Sequence, residues 1–169
     1  MVKYAGLDKN DILNGEGFCV SFWVQGCPHR CKGCHNPETW NFNGGIEIEY
    51  SQLINDIIQS IGANGIIRNF SILGGEPLCK ENLDLVDKII TDIRKKYPTI
   101  RIYCWTGYNY EDIINNSQIR KILKKTDVLI DGLFIIEQRD ITLKLRGSSN
   151  QRVIDVQQSL KEDEVILYD

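Results

Sequence analysis

Residues 24–38 read Val-Gln-Gly-Cys-Pro-His-Arg-Cys-Lys-Gly-Cys-His-Asn-Pro-Glu and set Cys27, Cys31 and Cys34 in the spacing C-x3-C-x2-C. Three thiols on one short loop call for a soft metal. Thiolates select zinc, copper(I) or iron–sulfur, and three of them leave a coordination position for water, substrate or cofactor. An open position points to chemistry rather than scaffolding. The plain alternative is a structural zinc site completed by His29 or His35. A thioredoxin-like reading of Cys31-Lys32-Gly33-Cys34 leaves Cys27 surplus and does not open a helix after a strand.

Further along, Gly74-Gly75-Glu76-Pro77 combines two glycines that permit close backbone approach, a charge, and a proline that sets the exit into a helix. Taken alone it is also a common strand-to-helix turn. Thr106-Gly107 is a weaker signal of the same kind. The segment Arg146-Gly147-Ser148-Ser149-Asn150-Gln151-Arg152 reads as a polar loop with two arginines suited to charge-assisted hydrogen bonds. Cys19, Cys79 and Cys104 stand singly among apolar neighbours, where cysteine is usually a small buried hydrophobe. The basic runs at Arg94-Lys95-Lys96 and Lys124-Lys125 fall at helix C-termini and suit the macrodipole.

The elements that must position these motifs alternate. Residues 18–24 are a run of β-formers that delivers the cysteine loop at its C-terminal end. Leu53, Ile54, Ile57, Ile58 and Ile61 make one stripe on a helix that Ser51 is placed to cap. Strands are expected at 66–73, 100–105 and 128–130, with a helix ended by Pro98 between the first two. Residues 110–124 read as two short helices broken at Asn115-Asn116-Ser117, and short strands are expected at 152–156 and 165–167. Residues 1–16 read as edge fragments that cover an end of the sheet. Such alternation predicts βαβ units and a parallel sheet with right-handed crossovers. Ligands of such sheets sit at the strands' C-terminal ends, where Cys27, Gly74, Thr106 and Asp131-Gly132 all fall.

The chain has 169 residues, a formal charge of −3, 42% hydrophobic residues and six cysteines. That length predicts one domain spanning 1–169. It is too short for an eight-unit barrel, which takes about 250 residues. Cations are interspersed with carboxylates, so the basic footprint of a nucleic-acid binder is missing. No apolar run has the length of a membrane span and the N-terminus lacks a signal-peptide core, which points to the cytoplasm. In that reducing compartment six cysteines argue for a metal or redox site over disulfides.

The cysteine spacing, with Trp23-Val24-Gln25-Gly26 before it, His35-Asn36-Pro37 after it, Gly74-Gly75-Glu76-Pro77-Leu78 and the 146–152 segment, resembles the radical S-adenosylmethionine (SAM) superfamily. Within it the chain is most similar to activases of glycyl-radical enzymes, in particular those serving anaerobic ribonucleoside-triphosphate reductase, over nearly the whole chain. The resemblance implies an incomplete (partial) β/α barrel of the radical SAM type, with a mostly parallel sheet and flanking helices. It implies that Cys27, Cys31 and Cys34 hold a [4Fe-4S] cluster whose remaining iron is chelated by SAM. Gly33, Cys34 and His35 would lie beside the adenine; Gly74, Gly75 and Glu76 would meet the SAM amino group; Thr106 and Gly107 would also contact SAM. Arg146 and Arg152 would meet the SAM carboxylate or the partner. No catalytic acid or base is implied, since the cofactors generate the 5′-deoxyadenosyl radical. The implied partners are the glycyl-radical loop of the reductase large subunit and a low-potential electron donor such as flavodoxin. Alternatives are an activase of another glycyl-radical enzyme, such as pyruvate formate-lyase, a nucleoside-modifying synthase with a similarly reduced barrel, and a non-catalytic zinc-stabilised adaptor.

Overall fold

The computed structural model describes residues 1–168. Seven strands form one sheet: β1 (Val2–Asp11), β2 (Cys19–Val24), β3 (Ile46–Ile48), β4 (Asn69–Gly74), β5 (Ile102–Trp105), β6 (Val128–Asp131) and β7 (Arg152–Asp155). Five helices accompany them: α1 (Tyr50–Ile61), α2 (Leu83–Lys96), α3 (Tyr110–Ile113), α4 (Ser117–Leu123) and α5 (Val156–Glu162). The strand order is β3-β1-β2-β4-β5-β6-β7.

The expected partial β/α barrel with a mostly parallel sheet is corrected by this topology. The three pairings β2·β4, β4·β5 and β5·β6 are parallel, and the three pairings β1·β2, β1·β3 and β6·β7 are antiparallel. The sheet is mixed, and it runs open from β3 to β7. The cause lies in the connections. A parallel pair needs a crossover of a dozen or more residues, usually helical, and the short loop between β1 and β2 cannot supply one. The segment between β6 and β7 is long but carries only a 3-10 turn at Ile136–Gln138, so the chain returns beside β6 running the other way.

Other local expectations shift with it. Residues 2–11 are a full strand beside β2, not edge fragments, and the edge is the three-residue β3. Glu49 occupies the N-cap of α1, leaving Ser51 inside the helix. Residues 156–162 are helix α5, and the expected strand at 165–167 is reduced to an isolated bridge between Leu167 and Ile154. The expected break in 110–124 is present, with Asn116 Oδ1 accepting from the Gln118 and Ile119 amides to start α4.

Period-two alternation divides each strand between two faces. Val20, Phe22, Val24, Phe70, Ile72, Ile102, Cys104 and Leu129 form one core with Leu53, Ile57 and Ile61 of α1, Val86, Ile89, Ile90 and Ile93 of α2, and Ile119, Ile122 and Leu123 of α4. Fully burying each such aliphatic side chain contributes roughly 1.5–3 kcal/mol. The residues in the other phase, Trp23, Leu73, Tyr103, Trp105, Val128 and Ile130, lie outside that core. Tyr103, Val128 and Ile130 form a second, smaller cluster against Trp105, Leu145 and Val153. One face is thus filled by helices and the other is covered only by loops. Gly15 lies on Cys19, Ser71 and Tyr103, with no room for a side chain, and Ser71 Oγ donates to the Asn14 carbonyl. No helix among the described residues is long and apolar enough to cross a membrane.

Candidate metal and cofactor site

A cavity of about 470 Å³ opens on the loop-covered face, at the C-terminal ends of β2, β4 and β5. Parallel strands all deliver their following loops to one sheet edge, so the three parallel pairings gather the motifs that sequence separates. The cavity is lined by Cys27, Cys31, Cys34 and His35 from the loop after β2, by Gly74, Gly75 and Glu76 after β4, and by Thr106 and Gly107 after β5. Of the expected site residues, Gly33 and Arg152 are outside the lining. Gly33 is exposed, and its left-handed φ of 75° turns the chain between Cys31 and Cys34.

The cysteine loop is held by its own ends. Gly26 N donates to Thr39 O at 2.7 Å, and buried Gln25 donates Nε2 to the Glu38 and Asn41 carbonyls at 3.1 and 2.7 Å. Cys34 N closes a turn on Cys31 O, and Asn36 N donates to Cys34 Sγ at 3.4 Å. Burial pushes the Cys27 and Cys31 thiols up, and the charge of Glu76 adds to it. A metal that takes them as thiolates therefore displaces protons.

Glu76 is 1% exposed and ties the three loops together. Its Oε1 accepts from its own turn, Leu78 N at 2.8 Å, and from Thr106 Oγ1 at 2.8 Å. Its Oε2 accepts from Gly107 N at 2.7 Å and meets His29 Nε2 at 2.8 Å. A carboxylate has about four lone-pair sites, and these donors fill them. The glycines serve the same junction. A Cβ on Gly75 would fall on the Gly26 carbonyl, and one on Gly107 would lie 2.6 Å from the His29 ring. Gly75 N and Glu76 N donate to Val24 O and Gly26 O, so the turn after β4 lies backbone to backbone on the cysteine loop.

Among the described residues no three His, Cys, Asp or Glu side chains meet closely enough to ligate one metal ion. A tetrahedral zinc draws thiolates to about 2.3 Å from a single centre. An iron–sulfur cube spreads its ligands over separate corners, and three thiols lining one cavity match the donor type and number of such a group. Cys19, Cys79 and Cys104 are buried away from the lining, and Cys79 Sγ lies 3.1 Å from the Glu76 carbonyl. Burial raises Cys79 to about 12 and Cys104 well above the usual thiol value, which keeps both as thiols.

Arg152 is consumed inside the protein. It donates to Asp131 at 3.0 and 2.5 Å and to Glu111 at 2.9 and 2.7 Å, and it is not among the cavity residues. Those bonds hold the Glu111 carboxyl down at about 2 and raise the guanidinium. Gln151 organises the rest of its segment, accepting from the Gly147 and Ser148 amides and donating to Gly132 O.

Several cavity residues were not among the expected site residues. Trp23, Leu73 and Trp105 line it from the sheet, Leu13 and Asn14 from the β1–β2 loop, and Phe134, Leu143 and Leu145 from the β6–β7 segment. Phe134 lies 5.2 Å from the His35 ring. Trp40 Nε1 is buried beside the cavity with no hydrogen-bond partner among the described residues. The alternation of Trp23 and Trp105 against the core-facing phase is the one sequence signal that could have found them.

Residues 13–154 match the family model described as a 4Fe-4S single cluster domain. The chain is 37% identical over 154 residues to a protein of Haemophilus influenzae, covering 89% of this chain and 96% of the relative. It is 37% identical over 147 residues to one of Escherichia coli K12, covering 85% and 92%, and 35% identical over 153 residues to one of Enterobacteria phage T4, covering 90% and 93%. All three relatives are named anaerobic ribonucleoside-triphosphate reductase-activating protein.

Proposed function

From the chain's membership of the family of anaerobic ribonucleoside-triphosphate reductase-activating proteins, with its 4Fe-4S single cluster domain, we propose that it is a radical SAM activase of that reductase. The observation that carries the reading is the cavity in which three thiols and the turns after β4 and β5 share one lining. When bound, the cluster and SAM supply one-electron cleavage of a sulfonium, yielding a carbon radical able to take a hydrogen atom from a glycine Cα.

The chain's own residues bind, orient and exclude water. Cys27, Cys31 and Cys34 hold the cluster. His35 flanks the adenine, with Phe134 bracing its ring, and Gly33 serves as the turn that brings Cys31 and Cys34 to the cavity. Gly74 and Gly75 offer backbone to the SAM amino group, and Glu76, Thr106 and Gly107 act mainly by locking the loops around it, since their hydrogen bonds are spent on one another. Trp23, Leu73 and Trp105 keep the sheet side of the cavity dry, which protects a reactive carbon radical from solvent. The partner is the reductase, whose glycyl-radical loop enters the cavity. A low-potential donor such as flavodoxin supplies the electron, and the setting is cytoplasmic.

The test is anaerobic mixing of the reconstituted protein with the reductase, SAM and a reductant. A glycyl-radical doublet in the electron paramagnetic resonance spectrum, with one methionine formed per radical, is expected. Cluster-loaded protein that cleaves no SAM beside its reductase would refute the reading.

A further inference from the structure

Asn82 stands at the N-cap of α2, and its side chain does not cap the helix. Asparagine is among the strongest residues at that position because its side-chain oxygen accepts from an amide of the first turn. Here the side chain is spent elsewhere. It is 7% exposed, and its Nδ2 donates to Glu76 O at 2.9 Å. The second hydrogen on Nδ2 is shared between Gly26 O at 3.3 Å and Cys79 Sγ at 3.4 Å. Gly26 opens the cysteine loop, and Glu76 belongs to the glycine turn after β4. Among the described residues Asn82 is the only side chain that hydrogen-bonds the backbone of both segments.

The helix behind it makes this amide an anchor. α2 runs 14 residues and buries Leu83, Val86, Ile89, Ile90 and Ile93, so its first turn is held by the core. The bond from Glu76 N to Gly26 O at 2.9 Å joins the two segments, and Asn82 fixes the joined pair to the helix. Resting on the function proposed above, in which Cys27 holds the cluster and the 74–76 turn meets SAM, we propose that Asn82 is a positioning residue for SAM binding. It lies outside the cavity lining and touches neither cofactor. It sets the separation between the cluster and the turn that receives the SAM amino group, so that SAM reaches both at once. A helix start that forgoes its own cap for a bond to a loop 56 residues away gives up local stability for geometry.

The experiment compares anaerobically reconstituted wild type, Asn82→Ser, Asn82→Asp and Asn116→Ala at equal iron content. It measures SAM affinity, the electron paramagnetic resonance spectrum of the reduced cluster with and without SAM, and the denaturant midpoint of the metal-free protein. Serine keeps a good N-cap and carries no amide to bridge the loops. Aspartate sets an acceptor against two carbonyl oxygens. Asn116 caps α4 away from the cavity, so its loss destabilises the fold without touching the site. Asn82→Ser is expected to weaken SAM roughly three- to tenfold, the worth of one net hydrogen bond, and Asn82→Asp to weaken it further. Asn82→Ser is also expected to change the spectrum that SAM induces while its SAM-free spectrum stays that of wild type. Asn116→Ala is expected to lower the midpoint and to leave SAM affinity and both spectra unchanged. Wild-type SAM affinity and spectrum in Asn82→Ser overturn the proposal, as does equal loss of SAM affinity in Asn82→Ser and Asn116→Ala. So does an Asn82→Ser protein that takes up no iron, which would assign Asn82 to the cysteine loop alone. Iron-loaded wild type that binds no SAM would instead sink the function on which the proposal rests.

Discussion

His29 Nε2 lies 2.8 Å from Glu76 Oε2. This joins a residue between two of the clustered cysteines to a residue that follows a different strand. A carboxylate can only accept, so the imidazole donates from Nε2. The same Oε2 accepts from Gly107 N and Oε1 accepts from Thr106 Oγ1, which makes one buried side chain the meeting point of three loops.

Replacing Glu76 by Gln puts an amide N–H₂ against donors that now find an oxygen. Leaving buried donors unsatisfied costs about 1–3 kcal/mol. Glu76→Gln is expected to lower the denaturant midpoint of the metal-free protein accordingly and to slow cluster incorporation. A loss below about 0.5 kcal/mol would mean that the carboxylate does not organise the loops.

Gly75 lies on Gly26 with no space for a methyl group. Gly75→Ala must separate the β4 turn from the cysteine loop and strain the bond from Glu76 N to Gly26 O. Forcing such overlap costs about 1–3 kcal/mol. Thermal unfolding of the variant, compared with Gly6→Ala in β1, where φ is not left-handed and the nearest atom to the new Cβ is the Trp23 ring at 3.9 Å, separates crowding from the general cost of replacing glycine.

Alanine at Cys27, Cys31 or Cys34 is expected to remove most of the iron and acid-labile sulfide bound after anaerobic reconstitution. Alanine at Cys79 or Cys104, buried off the cavity, is expected to leave both unchanged. Metal analysis of the five variants checks this. A Cys31→Ala protein that still yields the glycyl radical on the reductase would overturn the ligand assignment.

The Glu111 carboxyl is held at about 2, below its ordinary 4.5, by the Arg152 guanidinium. A depressed folded value means that the pair's contribution is complete above about 4.5 and is lost as pH falls toward 2. Glu111 is 58% exposed, so solvent screening limits the contribution to under about 1 kcal/mol. Urea midpoints of the wild type and Glu111→Gln should converge as pH drops through that window. Parallel curves would show that the bond adds nothing to stability.

The cysteine triad, the glycine turn with Glu76, and the apolar stripes of α1 and α2 were legible in the chain because each is local. Spacing along a loop or a helix face depends on residues a few positions apart. The sheet's mixed direction was not legible. Residues 2–11 read as fragments, which hides the short connection that forces β1 antiparallel to β2, and the long helix-free segment before β7 fits either direction. The aromatic lining from Trp23 and Trp105 was hidden in plain strand alternation, since nothing local says which face the helices will take.

By itself the sequence determined which atoms are present to hold a metal: three soft ligands within eight residues, read from the identity and order of side chains alone. Only the tertiary structure decided that Glu76 is spent on other loops, that Arg152 is locked against Asp131 and Glu111, and that Arg146 lines the cavity while bonded to the Gln151 carbonyl. Those outcomes depend on which groups compete for each donor and acceptor, and that competition exists only once strands distant in sequence lie side by side.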